Sequence, residues 1–319
     1  MRINKNRIIT SVLLVIAFNF GANAQPTAVG TPEILLQQSG VNFQAPVWSP
    51  DGNTIAVTAE QYIGIWLADE NGANLRQLTN ADAGFGLSWS NDSKAILTRL
   101  NTFENRRRNH AITIFHTDGS SPDQLTESRP KMEALPTWGQ YGEKVVLIQE
   151  DKIESFDSGL EISEQFKARP SQAFYVLKSN AIARGKIPTN ATENISPFDD
   201  AVYLNLEVSP DGQKLAFEVY GGNLYVMNVD GSNLIDLGKA NRPSWSPDSK
   251  YLVASVSEDD GYKISRGDIF AFSTDGTNRI NLTENTDLIA QNPNWSPTGS
   301  KIAFDVPDEG AIYVLTIQQ

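Results

Sequence analysis

The chain has 319 residues, with 26 Lys+Arg against 38 Asp+Glu, a formal net charge of −12, and no cysteine. Such a length supports a sizeable core without covalent staples. The missing cysteines exclude a disulfide framework and a lipid-modified N-terminal Cys, and the acidic balance excludes phosphate backbones and anionic lipid as natural partners.

The first segment reads as a leader. "MRINKNR" supplies Arg2, Lys5 and Arg7, an apolar stretch follows, and "ANA" at 22–24 has the small-x-small form of a cleavage site. This pattern predicts a secretory signal peptide over 1–24, cleaved before Gln25. The apolar stretch is short beside the roughly 20 residues a spanning helix needs; a retained anchor is the alternative. No second long apolar run follows, so residues 25–319 are expected to be periplasmic or secreted, without a membrane span.

From there the chain repeats itself. "APVWSPDGNTIAV" begins at Ala45, "GLSWSNDSKAILT" at Gly86, "LPTWGQYGEKVVL" at Leu135, "LNLEVSPDGQKLAF" at Leu204, "RPSWSPDSKYLV" at Arg242 and "NPNWSPTGSKIAF" at Asn292. Trp48, Trp89, Trp138, Trp245 and Trp295 share one position of the repeat, which Val208 takes in the fourth copy. A second phrase follows most copies, as in "ITIFHTDGSSPDQLT" and "DIFAFSTDGTNRINLT". Short runs of strand formers bounded by turn formers predict antiparallel meanders. Four strands recurring at a period of about 40 residues form a propeller blade.

The expected fold is therefore all-β, a six-bladed β-propeller of four-stranded antiparallel blades starting near 45, 86, 135, 204, 242 and 292. The last copy lacks a fourth strand, and "EILLQQ" from Glu33 is expected to supply it, closing the ring and hiding two sheet edges. An irregular insertion is expected over about 157–200, with a decayed seventh blade there as the alternative. Within it, "KIESFDSGLE" reads as a third strand and its turn, and "SQAFYVLKSNAIARG" as a helix or a degenerate strand pair.

"SPDG" reads as a hairpin turn. Pro presets the first corner, Asp tolerates the second, and Gly takes the left-handed position. Asp51, Gly52, Asp211, Gly212 and Asp248 are structural by this reading, and the tryptophans fill wedges between blades. A nucleophilic Ser needs a positioned His and an oxyanion hole, whereas this Ser recurs around the ring and the chain has only two histidines, His110 and His116.

The phrases "WSPDG…IAF…IYV…DGxN…LT" resemble the TolB-like, WD40-like (PD40) propeller repeat, from about Glu33 to Leu315. The resemblance implies an exported propeller that binds a protein partner of the cell envelope. In TolB itself a separate α/β domain precedes the propeller, and the stretch from Gln25 to Glu33 has no room for it. Prolyl-oligopeptidase-like peptidases share the repeat but carry a G-x-S-x-G elbow, which is lacking here. Pectic lyases with related propellers hold a metal through several histidines, more than this chain supplies.

The turns within blades are short and alike; the connections on the opposite face vary in length, and variable connections on a rigid scaffold are where binding is expected. Candidate partner-binding residues are Phe103, Arg106, Arg107, Arg108 and His110 in "TRLNTFENRRRNH", Lys131 and Met132 in "TESRPKMEALP", Asp259, Asp260, Tyr262 and Arg266 in "SVSEDDGYKISRGD", and Asp287 in "TENTDLIAQNP". The arginine run suits carboxylates through its forked donors, on a protein, a peptide or a glycan. The expected function is a non-enzymatic scaffold for a protein or peptide of the envelope, with no cofactor, no metal and no nucleic acid. The alternatives are a polysaccharide lyase or hydrolase working in the channel, and a small-molecule or metal-binding sensor module.

Overall fold

The computed structural model describes residues 25–132, 134–149, 152–162, 173–178, 180–186, 191–261 and 263–319. The leader at 1–24 and Tyr262 lie outside them. The described residues form antiparallel sheets joined by turns and three single-turn 3-10 segments. No helix among them is long and apolar enough to cross a membrane.

The sheets follow in chain order. The first contains Phe43–Trp48, Thr54–Ala59, Ile63–Asp69 and Arg76–Asp82. The second contains Ser88–Trp89, Ala95–Glu104, Arg107–His116 and Asp123–Gln124. One residue pair, Asp82 with Asn101, joins these two into a continuous ladder. The third has Thr137–Gly139, Lys144–Gln149 and Lys152–Asp157. The fourth has Ala173–Lys178, Ala181–Lys186 and Ala191–Asn194. The fifth contains Tyr203–Val208, Lys214–Val219, Leu224–Asn228 and Ile235–Gly238. The sixth contains Asn241–Trp245, Tyr251–Asp259, Ile264–Ser273 and Arg279–Asn281. The last is made of Gln291–Trp295, Lys301–Val306 and Ala311–Gln318, and its fourth strand is Thr27–Leu36 from the other end of the chain, with Ile34 opposite Tyr313.

The fourth sheet corrects the expected insertion over 157–200. Its described part is a regular meander, with Val176 opposite Ala183 and Arg184 opposite Glu193. Among the described residues this strand group comes in addition to those that follow the six copies of the repeat. This unit lacks both the Trp and the SPDG turn that mark the others, so only its strand pattern announces it.

Packing between sheets follows from the period of two along each second strand. Ile55 and Val57 point to one neighbour and Ala56 to the other; Leu215 and Phe217 alternate with Ala216, and Ile302 and Phe304 with Ala303. A large face on one sheet thus meets a small face on the next, the interlocking that dense cores require. Phe217 and Phe304 are fully buried, each worth about 1.5–3 kcal/mol of transfer free energy. Among the described residues seven such clusters occur, each between consecutive sheets. One of them joins Ala303 and Ile312 of the last sheet to Phe43, Trp48 and Val57 of the first. Trp48, Trp89, Trp245 and Trp295 are buried in these seams and Trp138 is half-buried. Trp89 and Trp138 also donate an indole N–H to the preceding sheet, at Val47 O (3.1 Å) and Ser88 O (3.2 Å).

Candidate functional site

The Ser-Asp pair of the repeat is a turn lock. Ser49 Oγ donates to Asp51 Oδ1 at 2.6 Å and accepts the Thr54 N–H at 3.0 Å, while Asp51 Oδ1 also accepts the Asn53 N–H. The same lock recurs at Ser90–Asp92, Ser209–Asp211 and Ser246–Asp248. Gly52 and Gly212 hold the left-handed corner at φ 74° and 70°. Neighbouring turns touch: the Asp51 N–H reaches Ser93 Oγ and the Asp211 N–H reaches Ser249 Oγ, both at 3.1 Å. Each of these lock hydroxyls thus gives its proton to the Asp of its own turn and accepts a backbone N–H, a structural use of the pair. On this turn face a cleft of about 610 Å³ opens between the second and third sheets. Its Asp92 is engaged by Ser90 and the Lys94 N–H, and its His116 bonds Asp123 at 2.8 Å.

On the opposite face, two segments read as loops are paired strands. Residues 95–104 and 107–116 form one long hairpin, turned by Asn105 and Arg106 at φ 48° and 65°. Two consecutive left-handed residues give the turn whose twist matches a two-residue hairpin. Strands 251–259 and 264–273 form a second long hairpin. The expected loop at "TRLNTFENRRRNH" is corrected by this pairing, in which strand formers facing one another outweigh the polar composition.

The first hairpin carries most of the expected binding residues. Phe103 is 61% exposed and stands opposite Arg108, whose guanidinium lies 5.3 Å from the ring centroid. Arg107 stands opposite Glu104, and Arg106 is at the tip. His110 is half-buried, with Nδ1 2.7 Å from Asn101 Oδ1. Burial, then Arg99 and Arg108, hold its pKa below the ordinary value against the pull of Asp82. Lys131 is exposed, whereas Met132 is buried against Ala95, Leu97 and Val145 and is corrected to a core residue. On the second hairpin Asp259 and Asp260 are exposed, and Arg266 is spent on Asp268 at 2.7 Å. Asp287 is exposed on the following connection. The structure therefore gathers 103–110 in one place and leaves the acidic candidates on another sheet.

A second group lies where the first strands begin. The residue three positions before the repeat anchor is left-handed in four sheets: Ala45, Asn205, Arg242 and Asn292, with φ 48° to 57°. Each marks a β-bulge, a shift in register against the second strand. The bulge frees backbone N–H groups, and carboxylates collect two of them. Glu218 Oε1 accepts Asn205 Nδ2 (2.6 Å) from its own sheet and the Arg242 N–H (2.5 Å) from the next. Asp305 accepts Asn292 Nδ2 (3.2 Å) from its own sheet and the Ala45 N–H from the next. Both acids stand ten positions after the anchor, where the second sheet has Arg99. Asp305 is 1% exposed, its Oδ1 has no partner, and burial pushes its carboxyl up to about 7 against those hydrogen bonds and the field of Arg242. Burial raises Glu218 as well.

The Arg242 side chain is exposed and reaches away from this staple. Nη1 donates to Asn205 Oδ1 at 3.1 Å on the fifth sheet, and Nη2 to Tyr62 Oη at 3.3 Å on the first. Tyr62 meets Phe85 edge-on at 5.0 Å, and the Arg99 guanidinium lies 5.5 Å from the Phe85 centroid. The Nε of Arg99 is buried without a hydrogen-bond partner. Arg242, Tyr62, Asn205 and Arg99 were not among the sequence-derived candidates; the one signal, for Arg242, Asn205 and Arg99, was a fixed offset from the anchor, three before or ten after, and Tyr62 had none.

No family model matches the chain, and no curated protein matches it. Solved structures do. A protein described as TolB from Agrobacterium tumefaciens superposes with a TM-score of 0.54 at 18% identity, over 89% of this chain and 92% of that one. An oligogalacturonate lyase from Vibrio parahaemolyticus gives 0.61 at 10% identity, over 92% and 99%. The β-propeller domain of Cps50 (Swd1) from Myceliophteria thermophila gives 0.59 at 11% identity, over 90% and 100%. The fold is a β-propeller. The bulges with Arg242, Asn205, Asn292 and Ala45 lie at the ends of the first strands away from the Ser-Asp turns. The long hairpins are on the same face, opposite the Ser-Asp turns.

Proposed function

We propose that residues 25–319 form an exported, closed seven-bladed propeller, entered after a signal peptide at 1–24, that acts as a non-enzymatic scaffold for a protein or peptide of the cell envelope. The partner docks on the hairpin face. One observation carries this reading: on a chain of net charge −12, Arg106, Arg107 and Arg108 are grouped on one hairpin, with Arg99 and Arg242 at the adjoining mouth. Clustered guanidinium groups bind carboxylates strongly and with fixed geometry, and they steer an acidic partner toward this face. The seven interlocking clusters support closure, since the last of them unites the two ends of the sheet series. The likeness to TolB supports the same family of roles.

A second reading is a lyase or hydrolase acting on an acidic polysaccharide, favoured by the likeness to the oligogalacturonate lyase. One experiment separates the two. The exported protein is recovered with its bound envelope proteins, and in parallel is incubated with a panel of oligouronides. Recovery of a defined envelope polypeptide, lost on Arg106→Glu with Arg107→Glu, supports the scaffold. Turnover of the oligouronides with no polypeptide recovered replaces it with the enzyme.

A further inference from the structure

The binding reading above leaves open what the channel mouth itself recognises, and the inference here rests on that reading. We propose that the mouth is a carboxylate receptor built around Arg242, and that its ligand is an acidic segment of the protein partner.

The position of Arg242 is the first argument. Its guanidinium contacts the fifth and first sheets while its backbone belongs to the sixth. The seventh sheet packs between the sixth and the first. A contact that skips it has to cross the opening that the first strands surround. The charge therefore sits over the channel rather than along a seam.

The second argument is the state of that charge. Both acceptors that hold it, Asn205 Oδ1 and Tyr62 Oη, are neutral, and among the described residues Arg242 forms no ion pair. A guanidinium has five N–H donors; two are used, and the rest of the fork is free to take a carboxylate. The two nearby acids are turned away, Glu218 onto the Arg242 backbone N–H and Asp305 onto Ala45 and Asn292. Burial disfavours their charged forms, so they neutralise Arg242 less than exposed acids would.

The third argument is that Tyr62 is held for this purpose at a cost. Its φ is 61°, as is that of Gln61 before it. The left-handed region costs a bulky L-residue about 1–2 kcal/mol. In the last sheet the residue before the third strand is Gly310, at φ 61° without that cost. Tyr62 in place of glycine brings a hydroxyl onto Arg242 and a ring edge onto Phe85.

Two further guanidinium groups lie over aromatic rings of this face. Arg99 covers the Phe85 ring and Arg108 covers the Phe103 ring. One face of each of these two rings is taken by a guanidinium group. Arg99 and Arg108 add positive charge beside the mouth, each lowering the pKa of His110.

The test uses the full exported chain and three probes: hexaglutamate, hexaglutamine and trigalacturonate, each titrated by calorimetry at low and physiological salt. Hexaglutamate binds and hexaglutamine does not. Arg242→Gln weakens hexaglutamate at least tenfold, Arg242→Lys weakens it less, and Tyr62→Phe weakens it about threefold by releasing the guanidinium. The backbone bond from residue 242 to Glu218 survives each substitution, and unchanged thermal unfolding verifies the fold. Equal affinity of wild type and Arg242→Gln overturns the receptor, as does no binding of hexaglutamate, equal binding of hexaglutamine, or binding of trigalacturonate alone. If Arg106→Glu with Arg107→Glu loses the envelope partner while Arg242→Gln keeps it, the scaffold stands and the receptor falls.

Discussion

Replacing Asp305 by Asn should stabilise the protein above neutral pH and leave it unchanged in acid. The carboxyl is 1% exposed, one oxygen lacks a partner, and burial raises it from 3.8 to about 7. A folded-state pKa above the unfolded one means that the folded state holds the proton more tightly. Stability from this group is then fully present below about pH 4 and is lost as pH rises to about 7. The difference corresponds to at most about 4 kcal/mol. An amide keeps an acceptor for Asn292 Nδ2 and the Ala45 N–H, and places its NH2 where the carboxylate has its partnerless oxygen. We expect urea unfolding at pH 8 to show Asp305→Asn more stable than wild type by about 1–4 kcal/mol, with the gap closing by pH 4. If Asp305→Asn is less stable than wild type at pH 8, or differs by the same amount at both pH values, the acid is an attractive staple and the reasoning fails.

Trp295→Ala should cost about 3–5 kcal/mol, since the ring is 4% exposed in the seam with the sixth sheet; a loss under 1 kcal/mol in urea unfolding would contradict its wedge role. Gly310→Ala should destabilise by more than 1 kcal/mol, because the residue is left-handed and a Cβ there comes 2.5 Å from Asn42 Oδ1; thermal unfolding reads this directly. Ser246→Ala should cost about 1 kcal/mol by opening the lock with Asp248 and the Tyr251 N–H, and leave partner recovery unchanged. Arg106→Glu with Arg107→Glu should leave the thermal midpoint nearly unchanged, both side chains being exposed, while abolishing partner recovery.

The sequence makes the sheets legible wherever a Trp or an SPDG turn punctuates them. Those residues carry their geometry locally: Gly52 and Gly212 are left-handed and the Ser-Asp lock closes within five residues. The fourth sheet has no such punctuation. Phe174, Val176, Ile182 and Ala183 are buried in the places a strand pair requires, but a short apolar alternation alone also fits a helix. The first long hairpin was hidden by composition, because Asn105 and Arg106 turn the chain without glycine or proline. Clustering of 103–110 was readable from charge; the burial of Met132 was not, since it depends on the third sheet arriving beside the second. Arg242 was invisible as a site residue because its role comes from a bulge and from partners distant in sequence, Tyr62 above all.

The most direct test of the whole account is recovery of envelope proteins on three immobilised forms: wild type, the hairpin-face variant Arg106→Glu with Arg107→Glu, and the turn-face variant Ser246→Ala. The scaffold reading predicts one defined polypeptide on the wild type and on the turn-face form, and none on the hairpin-face form. Equal recovery on all three, or loss on the turn-face form alone, would contradict it.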